Sequence, residues 1–160
     1  MSGEMAEFRE RLLTEREKSL LPAPLAAGVD LGAVRILNRW HNPVARILKM
    51  TVTRVARIFW SGAPVEATSL GERAHLAHEL VHVWQYGALG VSGAEIFVNR
   101  RYHYRFDPAR AFRSYGYEQQ AALVEDLVRL RGGAPPRWAK GPIATNTQYA
   151  SLVDKVETFA

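Results

Sequence analysis

His78-Glu79-Leu80-Val81-His82 is the stretch of this 160-residue chain whose residue types and spacing suit chemistry. On an α-helix, residues four apart differ by about 40° in azimuth and ~6 Å in height. Two imidazoles so spaced leave one face together and can share one zinc ion, while Glu79 can reach a water held beside it. Leu76, Ala77, Leu80, Val81, Val83 and Trp84 surround the three polar residues, so this helix is expected to be mostly buried. A buried histidine pair beside a carboxylate is costly unless its members are hydrogen-bonded or bind a metal. The pattern therefore favours a metal site over chance polar residues on a helix surface. His75, one turn earlier, reads as a core or rim residue.

The local sequence supplies the helix. Ser69-Leu70-Gly71-Glu72 has the form of a capping box, with Ser69 as N-cap and Glu72 reaching back to it. Helix formers follow through Trp84, and Gly87 sits where a C-terminal cap would end the run. A second helix is expected from about Tyr115 to Arg131, with Tyr117, Ala121, Val124 and Val128 on one stripe and Gly132-Gly133 ending it. Upstream, Val29 to Leu37 reads as a turn into a short strand, and Met50 to Trp60, rich in β-branched and aromatic residues, as one or two strands. Residues 4–20 read as an amphipathic helix bearing Met5, Phe8, Leu12 and Leu13. Ala94 to Arg101 reads as a short helix, and Tyr102 to Phe106 as extended. The stretch from 132 to 160 is weakly patterned and is expected to wrap the surface. Together these give an α+β class, with a small, mostly antiparallel sheet packed on the His78–His82 helix and the second helix. A single domain spans 1–160, its core at about 29–131.

A zinc ion that performs catalysis usually has three protein ligands and one open position. Glu118, at the start of the second helix and 36 residues beyond His82, is the leading third ligand; an acidic residue there also complements the helix dipole. His103 is the alternative. Glu125 and Asp126, further along the helix, are candidates to orient a ligand histidine. Tyr104, Tyr115, Tyr117 and His103 are candidate donors to an oxyanion.

Composition narrows the partners. There is no cysteine, which excludes disulfides, thiolate zinc sites and a cysteine nucleophile. The net charge is +5, but the arginines are scattered and no aromatic–basic module accompanies them, so nucleic acid is not an expected partner. No stretch is long and apolar enough to span a bilayer, and Met1 to Glu7 has no apolar signal region. The chain is expected to be cytoplasmic as synthesised, with any export by a non-classical route.

His78-Glu79-Leu80-Val81-His82-Val83-Trp84-Gln85, with Tyr102-His103-Tyr104, Tyr117-Glu118-Gln119-Gln120-Ala121 and Glu125-Asp126, resembles small bacterial zincin-like metallopeptidase domains associated with polymorphic-toxin and contractile-injection loci. The Val34-Arg35-Ile36 strand is similar to their entry strand, and the likeness covers roughly 29–131. The resemblance implies a zincin fold of glutamate-zincin type, Zn2+ on His78, His82 and Glu118, and Glu79 as catalytic base. It also implies a peptide or protein substrate and a secretion-system or toxin-associated partner. The chain departs from glutamate zincins such as thermolysin at Ala122, where they carry an acidic residue four positions after the ligand glutamate. Support for a ligand histidine must then come from elsewhere. The alternative to hydrolysis is a non-enzymatic zinc-binding module acting as adaptor or effector-associated interaction domain; a metal-free interaction domain is a further rival.

Overall fold

The computed structural model describes residues 3–90 and 100–156. The N-terminal segment departs from the helix expected over 4–20. It enters extended, with Glu4 bridged to Pro64 and the Met5 N–H donating to the Ala63 carbonyl at 2.8 Å. A short strand β1 (Glu10–Leu12) and a single helical turn α1 (Glu15–Lys18) follow. A helix would have put Met5, Phe8, Leu12 and Leu13 on one buried stripe. Instead Met5 and Leu13 are buried while Phe8 is 73% exposed and takes a left-handed φ of 61°. The anchor is polar. The Glu17 carboxylate, 1% exposed, accepts from both Arg11 guanidinium nitrogens at 2.7 and 2.8 Å, from the Thr14 N–H and from the Ala67 N–H. Those bonds tie the segment to the loop leading into the site.

After a turn of helix α2 (Ala23–Ala26), Asp30 caps a short 3-10 turn and the chain forms strand β2 (Arg35–Leu37). The ambiguous stretch that follows contains helix α3 (Pro43–Leu48), capped by the Asn42 side chain with proline at its first position. The β-branched run then makes two strands, β3 (Val52–Arg54) and β4 (Arg57–Phe59), joined through Val55 and Ala56. The sheet order is β1-β2-β4-β3. Its outer pairs are antiparallel and the central β2–β4 pair is parallel, with Ile36 opposite Ile58. Strand β3 is an edge among the described residues.

Helix α4 (Leu70–Ala88) carries the histidine motif. Its Ser69–Glu72 capping box is formed, but Gly87 does not end it. The helix runs one residue further, and Gly90 takes the left-handed φ of 59° just beyond. Residues 91–99, where most of the expected helix from Ala94 would fall, lie outside the described residues. Strand β5 (Tyr104–Arg105) precedes helix α5 (Tyr117–Arg131), which packs along α4, and strand β6 (Ala139–Lys140) pairs in parallel with β5.

Beyond 132, residues 133–143 are exposed or half-buried, but the helix that follows does not wrap the surface. Helix α6 (Asn146–Asp154) buries Tyr149, Leu152 and Val153, and Val156 follows them into the same hydrophobic cluster as Ile36, Ile58, Leu80 and Leu123. The missed signal was Thr145-Asn146-Thr147-Gln148, a capping box that is formed. The architecture is α+β, a small mixed sheet and a helix pair around one apolar cluster. Among the described residues no helix is long and apolar enough to cross a membrane.

Candidate metal centre

Helix α4 presents His78 and His82 toward the first turn of α5, where Glu118 stands. All three are buried, at 5, 6 and 5% exposure. The Nε2 atoms of both histidines lie 3.2 Å from one and the same atom, Glu118 Oε2. Ligand atoms about 2.0–2.1 Å from one tetrahedral ion lie roughly 3.3 Å apart, so this spacing suits a shared metal.

The outer nitrogens settle which lone pairs point inward. Gln85 spends its amide N–H groups on the Tyr117 carbonyl at 2.9 Å and Gln120 Oε1 at 3.0 Å. Its oxygen is left to accept, so His82 donates Nδ1–H to Gln85 Oε1 at 2.7 Å. His78 donates Nδ1–H to Glu125 Oε2 at 2.9 Å, an oxygen that also accepts the Trp138 indole N–H at 2.7 Å. As neutral rings, both histidines turn an Nε2 lone pair toward an anionic oxygen. That arrangement needs a cation at its centre, either a metal or a proton. In the metal-free protein the proton serves on His78. Burial lowers the proton affinity of the ring, but hydrogen bonds to Glu118 and Glu125, with the charge of Glu79, outweigh it and push the pKa up to about 10. Burial likewise opposes ionisation of Glu118, yet its hydrogen bonds with His78 and His82 hold it down at about 2. The donor set fits a borderline-soft divalent cation such as zinc, with two imidazoles and one carboxylate.

The centre opens into a cavity of about 360 Å³ whose wall includes Glu79, Thr53, Tyr102, Tyr117, Arg137 and Trp138. Glu79 lies next to the ligand set without joining it; its Oε2 accepts from Thr53 Oγ1 at 2.6 Å, within a buried pair. Tyr117 stacks on His82 with ring centroids 4.6 Å apart, and Tyr102 stacks on Trp138 at 4.9 Å. Burial, then the charges of Glu118 and Glu79, push the Tyr102 phenol up to about 12, which keeps its O–H at neutral pH.

No protein-family model matches the chain, and no curated protein matches it. A solved structure does: the effector domain of Pseudomonas aeruginosa VgrG2b shares 25% identity, with a TM-score of 0.60 over 79% of this chain and 76% of that one. The chain is similar in fold to that effector domain.

The remaining expected site residues divide sharply. Glu125 orients His78 as anticipated, whereas Asp126, one residue and 100° further round α5, faces away. It accepts from Tyr104 Oη at 2.6 Å and from the backbone N–H groups of Arg137, Trp138 and Ala139, and so fixes the Trp138 wall. Tyr104 is thereby committed to Asp126 and Tyr149, and Tyr115 to Asp107. Neither lines the cavity. His103 is exposed, meets the Trp138 carbonyl at 3.1 Å and is outside the metal cluster. His75 sits on the rim, bonded to Thr51 Oγ1 at 2.9 Å and edge-on to Trp60. Sequence reading gave no role to Gln85 and Tyr102, which it named within the family likeness, and did not single out Thr53 or Trp138. Gln85 alone carried a local signal, three residues after His82 on the same helix.

Proposed function

We propose that the chain is a zinc-dependent peptidase of the zincin-like kind, with His78, His82 and Glu118 as metal ligands and Glu79 as general base. The observation that carries this reading is the convergence of two Nε2 atoms on one Glu118 oxygen inside an open cavity that Glu79 also borders. When bound, zinc supplies a Lewis acid that brings the pKa of a water near 7 and polarises a carbonyl. Glu79 accepts the proton of the attacking water and returns it to the departing amine. Tyr102 and Arg137, whose phenol and guanidinium belong to the cavity wall, are side chains able to donate to the tetrahedral oxyanion. Edge strand β3 borders the same cavity through Val52 and Thr53, which supports an extended peptide adding to the sheet there. The likeness to an effector domain fits a protein substrate, export by a non-classical route and a secretion-system or toxin-associated partner.

The deciding experiment compares zinc-loaded wild type with Glu79→Gln on an unstructured protein library at neutral pH, with a chelator control. Wild type should cleave and lose activity to chelator, and the variant should keep zinc while losing roughly 10²–10⁴-fold in rate. Fully zinc-loaded wild type that cleaves nothing would favour the non-enzymatic module. Equal cleavage by both proteins would remove Glu79 from the chemistry.

A further inference from the structure

We infer that Thr53 is a positioning residue: through one hydrogen bond from the sheet edge it holds the Glu79 carboxylate in register with the metal centre. The inference rests on the peptidase reading of the cavity. Strand β3 sets Thr53 opposite Ile58, and packs its inner face against α4. Thr53 lies between Val52 and Arg54 with its side chain buried and opposite the buried Ile58, a setting in which valine would serve the strand as well. A buried hydroxyl there is costly unless it finds a partner. The partner is Glu79 Oε2, 2.6 Å away, with Thr53 4% and Glu79 5% exposed. Among the described residues Thr53 is the side chain that donates to Glu79. Oε2 is thus pinned, and Oε1 is left to take a proton from water. The strand available to an extended substrate is then also the strand that aims the base, so both are referenced to one rigid edge.

The test uses the zinc-loaded protein and a peptide drawn from the cleaved library. Thr53→Val keeps shape and removes the donor; Thr53→Ser keeps the donor. Thr53→Val should lower kcat by between about 10-fold and 100-fold, with KM within about twofold and zinc content unchanged, since misplacing a reacting group by about 1 Å costs up to that much. Thr53→Ser should stay within about threefold of wild type. A readout independent of turnover is the unfolding midpoint of the metal-free protein. The shift caused by Thr53→Val should be present in the Glu79 background and absent in Glu79→Ala. Thr53→Val with wild-type kcat beside an inactive Glu79→Gln would overturn the inference and leave the peptidase reading standing. So would Thr53→Ser as impaired as Thr53→Val, or equal midpoint shifts in the two backgrounds. If Glu79→Gln cleaves like wild type, the assignment of Glu79 as general base fails instead, and the metal-free midpoints still decide whether Thr53 holds Glu79. Should Thr53→Val not fold, Thr53→Ala against Thr53→Ser makes the same comparison.

Discussion

Metal uptake by the His78–His82–Glu118 centre should expel about one proton from His78 at neutral pH. In the metal-free protein both ring nitrogens of His78 face carboxylates, Nδ1 on Glu125 at 2.9 Å and Nε2 on Glu118 at 3.2 Å. Against the burial that disfavours charge, these bonds push the ring up to about 10. A metal needs the Nε2 lone pair, so the Nε2 proton must leave while Nδ1–H stays on Glu125. Glu118 is held at about 2 and is already ionised, so it contributes no proton. At pH 7, three units below about 10, the imidazolium outweighs the neutral ring by about 10³, and apparent affinity is reduced by about the same factor. Affinity should therefore climb roughly tenfold per pH unit from about 7 toward 10.

The sign for folding runs the other way. A ring whose pKa rises on folding, here from an ordinary 6.5, stabilises the metal-free fold fully below 6.5 and ceases to do so as pH passes about 10. The measurement is titration calorimetry with zinc at pH 7 in buffers of different protonation enthalpy, joined to chelator competition at pH 6, 7 and 8. Heats that do not depend on buffer, with flat affinity, would refute the assignment. Glu125→Gln sharpens it. Removing one of the two carboxylates lowers the His78 pKa, so proton release should fall off at a lower pH than in wild type, while the affinity of the deprotonated site for zinc drops by about 10–100-fold, the usual cost of losing the partner that orients a ligand histidine.

Two further outcomes follow from the same geometry. Glu118→Ala should weaken zinc binding in a competition assay while the fold persists, and His103→Ala, at an exposed position outside the cluster, should leave affinity unchanged; loss of metal in His103→Ala alone would reverse the third-ligand assignment. Burial works against ionising Glu17, but the Arg11 guanidinium and the Thr14 and Ala67 N–H groups outweigh it and lower its pKa from 4.5. Its contribution to stability should thus be complete above about 4.5 and fade as pH falls through the lower folded value, so urea midpoints measured from pH 6 to 3 should drop more steeply in wild type than in Glu17→Gln.

What the sequence disclosed about the site was what a helix makes local. His78 and His82 share a face by spacing alone, and the Ser69 capping box that starts their helix is formed. Glu118 could be picked out because its helix announced itself through the Tyr117–Val128 stripe and the Gly132 stop. Glu125 follows Glu118 by seven residues, two turns, and so returns to nearly the same face. That periodicity supplies the carboxylate which Ala122 withholds, and it separates Glu125 from Asp126, whose 100° offset sends it to Tyr104 and the Trp138 backbone instead. The adjacent acids looked equivalent in one dimension and do different work.

The N-terminal segment failed for a physical reason of the same kind. Its helical stripe of Met5, Phe8, Leu12 and Leu13 was real as a pattern, but a helix is stabilised by what its face buries. Edge pairing with β2 and a carboxylate sunk against Arg11 gave this segment a better use of its groups. Thr53, Tyr102 and Trp138 were out of reach for the complementary reason. Each meets the centre across 13 or more positions of chain, through a sheet edge or a turn whose placement depends on the finished core. The candidate metal ligands could be read from two helices, each by its own local signals, whereas the side chains around them are placed by the packing between elements. The Thr53–Glu79 bond, joining strand β3 to helix α4, is where the two meet.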